Sequence, residues 1–155
     1  MLITTTSDGK AIIWDAESRQ QLLTLQGHLG RVGDADWSQN GSLVVTAGGD
    51  STARIWDALS GKEVLQLIGH TGAILSVDWA TGGEKIVTGG EDRTARIWDA
   101  NTRKEIGRIS GHEDAITVVR WSPDGSQIMT ASADRTIRIW PVGNEGHNFA
   151  AGSMI

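Results

Sequence analysis

A histidine, a threonine and an aspartate recur in one register along the chain. They stand as His28, Thr46 and Asp50, then His70, Thr88 and Asp92, then His112, Thr130 and Asp134, each set 42 residues after the one before. Hydroxyl, imidazole and carboxylate are the parts of an activated nucleophile, in which the imidazole is the base and the carboxylate orients it. The same imidazole and carboxylate are also metal ligands. Six residues beyond each aspartate comes a tryptophan: Trp56, Trp98 and Trp140. A partial set, Thr4, Asp8 and Trp14, precedes the first at the same spacing and has no histidine. An active site concentrates its reactive groups at one place, whereas three full sets of equal composition single out no place. Indole and threonine are poor company for a metal's first shell. The repetition points to structure, with no catalytic, cofactor-binding or metal-binding residue and no cofactor.

The elements that must position these residues have the pattern of strands. After Gly27-His28, Gly69-His70 and Gly111-His112, apolar residues fall at Val32, Ala35 and Trp37, at Ile74, Val77 and Trp79, and at Ile116, Val119 and Trp121. The change of face after the first of each trio predicts a bulge. Asn40-Gly41, Gly82-Gly83 and Asp124-Gly125 follow in phase and supply hairpin turns. The short apolar runs Leu43 to Thr46, Ile86 to Thr88 and Ile128 to Thr130 predict second strands buried on both sides. Third strands run from Thr52, Thr94 and Thr136 to the tryptophans and are rich in β-branched and aromatic residues. Fourth strands fit Gln20 to Leu25, Glu63 to Ile68 and Glu105 to Ile109. A four-stranded meander cannot bury its own faces, so neighbouring units must stack.

With a period of 42, Gly-His at 27, 69 and 111, and Trp-Asp at 14, 56 and 98, residues 2 to 140 resemble the WD repeat (WD40) family. That resemblance implies an all-β fold, a partial β-propeller of about three and a half four-stranded antiparallel blades. Residues 1–26 are then a partial blade without its first strand, 27–68 and 69–110 two whole blades, and 111–141 a blade without its last strand, leaving 142–155 as a flexible tail. In that tail Gly146-His147 imitates the Gly-His motif at the wrong distance from Trp140, and Pro141 replaces the aspartate after it. The resemblance also implies that aspartate bonds histidine, histidine the hydroxyl, and the hydroxyl the tryptophan N–H, a structural network. It puts Asp34, Asp36 and Asp78 on innermost strands lining the channel, where they read as solvated carboxylates rather than a cation or substrate site. Arg120 holds the matching place in the next unit. Partners in such a fold often bind the face where the loop entering the first strand meets the aspartate turn, which here offers Arg31, Ala73, Leu75, Glu91 and Thr117.

Composition narrows the alternatives. A formal charge of -5 gives no basic footprint for nucleic acid. No apolar run approaches the ~20 residues of a membrane span, so no membrane partner is expected. The absence of cysteine removes disulfides and thiolate chemistry and is compatible with a cytoplasmic protein. All seven tryptophans occupy repeat positions, alternately 23 and 19 apart, which assigns them to packing. An arc of this size falls short of the roughly four to eight blades of a closed ring. Open edges of that kind predict completion by further repeats, by a second copy or by another chain, with other proteins as partners. An enzyme using the channel acids and a purely self-assembling unit are the competing readings.

Overall fold

A computed structural model describes residues 1–143 and the pair Ser153–Met154. Its strands form four antiparallel sheets in chain order. The first holds β1 (Leu2–Thr5), β2 (Lys10–Trp14) and β3 (Gln21–Gln26). The second holds β4 (Val32–Trp37), β5 (Leu43–Gly48), β6 (Thr52–Asp57) and β7 (Glu63–Ile68). β8 (Ile74–Trp79), β9 (Lys85–Gly90), β10 (Ala95–Asp99) and β11 (Glu105–Ile109) make the third. The fourth has β12 (Ile116–Trp121), β13 (Gln127–Ser132), β14 (Ile137–Pro141) and the two-residue β15 (Ser153–Met154). This is the all-β architecture that the periodicity calls for, and among the described residues no helix is long and apolar enough to cross a membrane.

Hydrophobic burial happens between sheets. Val45, Ala47, Ala53, Ile55 and Leu67 of the second sheet pack on Ile74, Val77, Ile86 and Trp98 of the third. The third presents Val87, Ala95 and Ile97 to Ile116, Val119, Ile128 and Trp140 of the fourth. Ala11, Ile13 and Leu25 of the first meet Val44 and Trp56 of the second. Val44, Val45, Thr46 and Ala47 are each 0 % exposed, because β5 is a second strand covered on both faces.

The hairpins between first and second strands turn at Gly41, Gly83 and Gly125, whose φ values of 69°, 74° and 70° lie where side chains are disfavoured. Register shifts lie between Val32 and Asp34, Ile74 and Ser76, and Ile116 and Val118. Those are the bulges the pattern predicts, and the extra residues are Gly33, Leu75 and Thr117. A second series of shifts, at Trp14, Trp56 and Trp98, leaves Leu22, Val64 and Ile106 unpaired on the outermost strands. Bulges of this sort twist a sheet edge away from regular pairing.

Two expectations at the end of the chain need correction. The last sheet, expected without a fourth strand, pairs Ser153 with Ile139 and Met154 with Arg138. Two residues of main-chain pairing leave no apolar pattern to read, and residues 142–152 separate them from β14, where five or six residues separate the equivalent strands elsewhere. Val142, expected in the tail, packs against the core of the last seam, and its N–H donates to Ser126 O at 2.8 Å, as Ala58 and Ala100 do to Ser42 and Glu84. Gly146-His147 lies outside the described residues.

Candidate functional site

Each histidine is carried on the chain entering a first strand, and its threonine stands in the middle of the neighbouring second strand. The aspartate occupies the turn between second and third strands, and the tryptophan stands next to last in the third. In the third sheet His70 Nδ1 lies 2.9 Å from Asp92 Oδ2, its Nε2 lies 2.8 Å from Thr88 Oγ1, and Trp98 Nε1 donates to the same hydroxyl at 2.8 Å. The second sheet repeats this at 3.0, 2.8 and 2.8 Å through His28, Asp50, Thr46 and Trp56. The fourth does so at 2.7, 2.7 and 2.8 Å through His112, Asp134, Thr130 and Trp140.

Donor and acceptor roles follow from the ends of each chain. A carboxylate only accepts, so Nδ1 carries the imidazole proton. Tryptophan N–H only donates, so the hydroxyl accepts it and passes its own proton toward Nε2. The neutral histidine thus satisfies every group. Burial lowers the pKa of His28 and His70 against the opposing pull of Asp50 and Asp92, which favours that neutral form. Burial alone would raise the Asp50 carboxyl, yet hydrogen bonds from Leu29 N–H, Thr52 and His28 outweigh it and hold it well below the carboxylate range. Asp92 is lowered to about 2 as His70, Thr94 and the Thr71 N–H overcome its burial.

A nucleophile needs access, and these groups have none. Thr46, Thr88 and Thr130 are 0 % exposed and the three histidines 6–7 %. In the partial set Trp14 Nε1 donates to Thr4 Oγ1 at 2.8 Å, while Asp8 is exposed and takes Lys10 and Thr6 instead of a histidine.

One part of the network went unread in the sequence. Buried Arg54 joins Glu63 at 2.7 Å and Asp50 at 3.2 Å, and Arg96 joins Glu105 at 2.8 Å and Asp92 at 3.5 Å. The signal was present, since arginine two before and glutamate seven after the tryptophan recur together at Trp56 and Trp98, whereas the first unit has Ile12 and Gln21 at those places and the last has Arg138 without the glutamate. This guanidinium also explains the glycine of Gly-His: a Cβ on Gly69 would lie 2.6 Å from Arg96 Nη1 and 3.0 Å from Trp98 Cη2.

The reading of Asp34, Asp36 and Asp78 as solvated carboxylates is corrected. Asp36 Oδ2 accepts the N–H of Trp79 at 2.8 Å, Asp78 Oδ2 that of Trp121 at 2.6 Å, and Asp34 Oδ2 that of Val77 at 3.2 Å. Each partner is 43 residues on, in the next sheet, so the carboxylates tie inner strands together. Arg120, in the place of Asp36 and Asp78, turns back instead. Its Nη1 donates to Val119 O at 2.7 Å, Ser76 Oγ at 3.1 Å and Asp34 Oδ2 at 3.4 Å.

Of the five residues expected at a partner face, two lie in the first series of bulges. Leu75 and Thr117 are bulge residues, with Thr117 exposed and Leu75 partly so. Arg31 and Glu91 are exposed beside the aspartate turns, and Ala73 accepts the Glu91 N–H through its carbonyl at 2.9 Å.

The sequence model of one family, described as WD domain, G-beta repeat, matches residues 19–57, 61–99 and 103–141. Each matched segment begins in or just before the outermost strand of one sheet and ends with the third strand of the next. One sequence repeat therefore spans two sheets and locks them covalently. A comparison with curated proteins found no match.

Proposed function

The chain belongs to the WD repeat family, whose repeats generally serve as protein-interaction scaffolds, and on that premise we propose that it is a non-catalytic scaffold for other proteins. The observation that carries this reading is the occupation of both ring nitrogens in His28, His70 and His112, by aspartate on one side and threonine on the other. The groups most able to do chemistry are spent on holding the sheets in shape, which leaves the surface as the place of action. The channel acids, on which an enzyme reading would rest, are likewise engaged by backbone N–H groups.

Partner binding is assigned to the bulge face, through Arg31, Ala73, Leu75, Glu91 and Thr117. Bulges aim side chains out of a rigid sheet, and arginine is favoured at interface hot spots. To test this, proteins retained by the immobilised chain are compared with those retained by Arg31→Glu and Leu75→Asp variants of unchanged circular dichroism. Loss of the same proteins from both variants supports the assignment; identical retained sets reject it.

Completion of the arc by further blades, a second copy or another chain is part of the proposal. It is favoured by apolar residues on the outer sheets, with Leu2 55 % and Ile137 43 % exposed. Sedimentation of the chain alone as a stable monomer would count against completion by a second copy.

A further inference from the structure

Asp78 is the least compensated of the three inner-strand carboxylates. Asp34 accepts the N–H of Ala35, the N–H of Val77, the hydroxyl of Ser76 and a long contact from Arg120. Asp36 accepts two backbone N–H groups, from Trp37 and Trp79. Asp78 accepts one, from Trp121. Its side chain is only 18 % exposed, and the nearest cation among the described residues, Arg120, has its Nε 3.9 Å from Oδ1 and makes its hydrogen bonds elsewhere through Nη1. The charged groups facing it are Asp36 and Asp34 from β4 and Arg120 from β12, while β9 sets Val87 opposite it. Three carboxylates thus share one guanidinium in a partly water-excluded space, and one of the three is short of donors.

We propose that the seam between the third and fourth blades is a proton-sensitive joint, with Asp78 as its titrating group and Arg120 as the residue that sets where it titrates. Burial, joined by the charges of Asp36 and Asp34 and opposed by the Trp121 N–H and Arg120, pushes the Asp78 carboxyl up to about 6. Such a group keeps its seam contact in both states, since a neutral carboxyl still accepts an N–H through its carbonyl oxygen. What changes is the repulsion. The folded pKa lies above the unfolded value, so the folded joint holds the proton more tightly than the opened chain does, and the contribution is lost as pH rises through about 6. The joint is under load at neutral pH and relaxes in mild acid, within the range that cellular compartments span.

The test follows the Trp121 backbone amide of the whole chain by NMR between about pH 5 and about pH 8. A single inflection near pH 6 that disappears in Asp78→Asn, and moves to higher pH in Arg120→Gln, is the expected result. The melting temperature of Asp78→Asn should exceed that of the unaltered chain at neutral pH and approach it in mild acid. A flat Trp121 amide, or an inflection that survives Asp78→Asn, overturns the proposal. Should the variant not fold, the carboxyl carbon shift of Asp78 in the unaltered chain decides the matter by the same midpoint.

Discussion

Asp36 reaches across a seam to Trp79: its Oδ2 accepts the Trp79 backbone N–H at 2.8 Å while its Oδ1 holds the N–H of Trp37 beside it. One carboxylate thereby fastens the inner strands of two blades, a join that adds direction to the nonspecific packing of the apolar seam. Repeat proteins derive much of their stability from such nearest-neighbour interfaces.

Asp36→Ala should therefore destabilise the chain by about 1–3 kcal/mol, the cost of leaving a buried N–H without a partner. Asp36→Asn, which retains an acceptor oxygen, should cost less. Urea denaturation gives the stabilities, and hydrogen exchange at the Trp79 amide localises the effect. Equal losses in the two variants would show that the charge, not the acceptor, matters.

Position within the arc should grade the tryptophans. Trp98 is 2 % exposed and both packs in a seam and donates to Thr88, so Trp98→Ala should cost about 3–5 kcal/mol. Trp14 makes the same bond to Thr4 but stands partly exposed on the first sheet, so Trp14→Ala should cost clearly less. Denaturation followed by circular dichroism compares them, and equal costs would contradict the difference in burial.

How much could be read beforehand depended on whether a residue acts within its own unit. The strands, the hairpin glycines and the bulges were legible because they obey local period and turn chemistry, as Gly83 and Leu75 illustrate. The buried quartets were legible through the family's pattern. Asp36 and Asp78 were misread because their partners are backbone N–H groups in the next blade, which no side-chain pattern announces. The recurrence of Arg96 with Glu105 is visible in the sequence, but an arginine within a strand does not by itself declare a buried ion pair. Two-residue β15 left no trace, since main-chain pairing is indifferent to side-chain type.

The Arg96–Glu105 pair admits a direct test, because the first blade already shows the uncharged alternative in Ile12 and Gln21. Arg96→Ile alone leaves Asp92 with His70, Thr94 and the Thr71 N–H and Glu105 with Arg108, and Glu105→Gln alone replaces the charged partner of a buried guanidinium by a neutral one. Each should cost about 1–3 kcal/mol, Glu105 being partly solvated. The double variant should cost less than the sum by roughly 1 kcal/mol or more. A double-mutant cycle from urea midpoints measures this, and strict additivity would mean that the pair is not energetically coupled.

Acid should act on the quartets in two stages with defined signs. His28 and His70 have folded pKa values below the ordinary histidine value, so their contribution is complete above about pH 6.5 and declines as the unfolded chain takes up protons that the folded one resists. Asp92, lowered to about 2, and Asp50, lowered further, contribute above the ordinary carboxylate value of 3.8 and lose that contribution as pH falls below it. Asp78 opposes the first stage, its contribution growing as pH falls from about 6 toward the unfolded value of 3.8, and it drops out of the second once the folded and unfolded chains are both protonated there. Urea midpoints should therefore change gently from neutral pH to about pH 5 and fall steeply below about pH 4. Asp92→Asn should be less stable at neutral pH and should show a shallower acid limb, since the group that must be protonated is gone. An acid limb of unchanged slope in that variant would mean that Asp92 does not hold its histidine as an ionised partner.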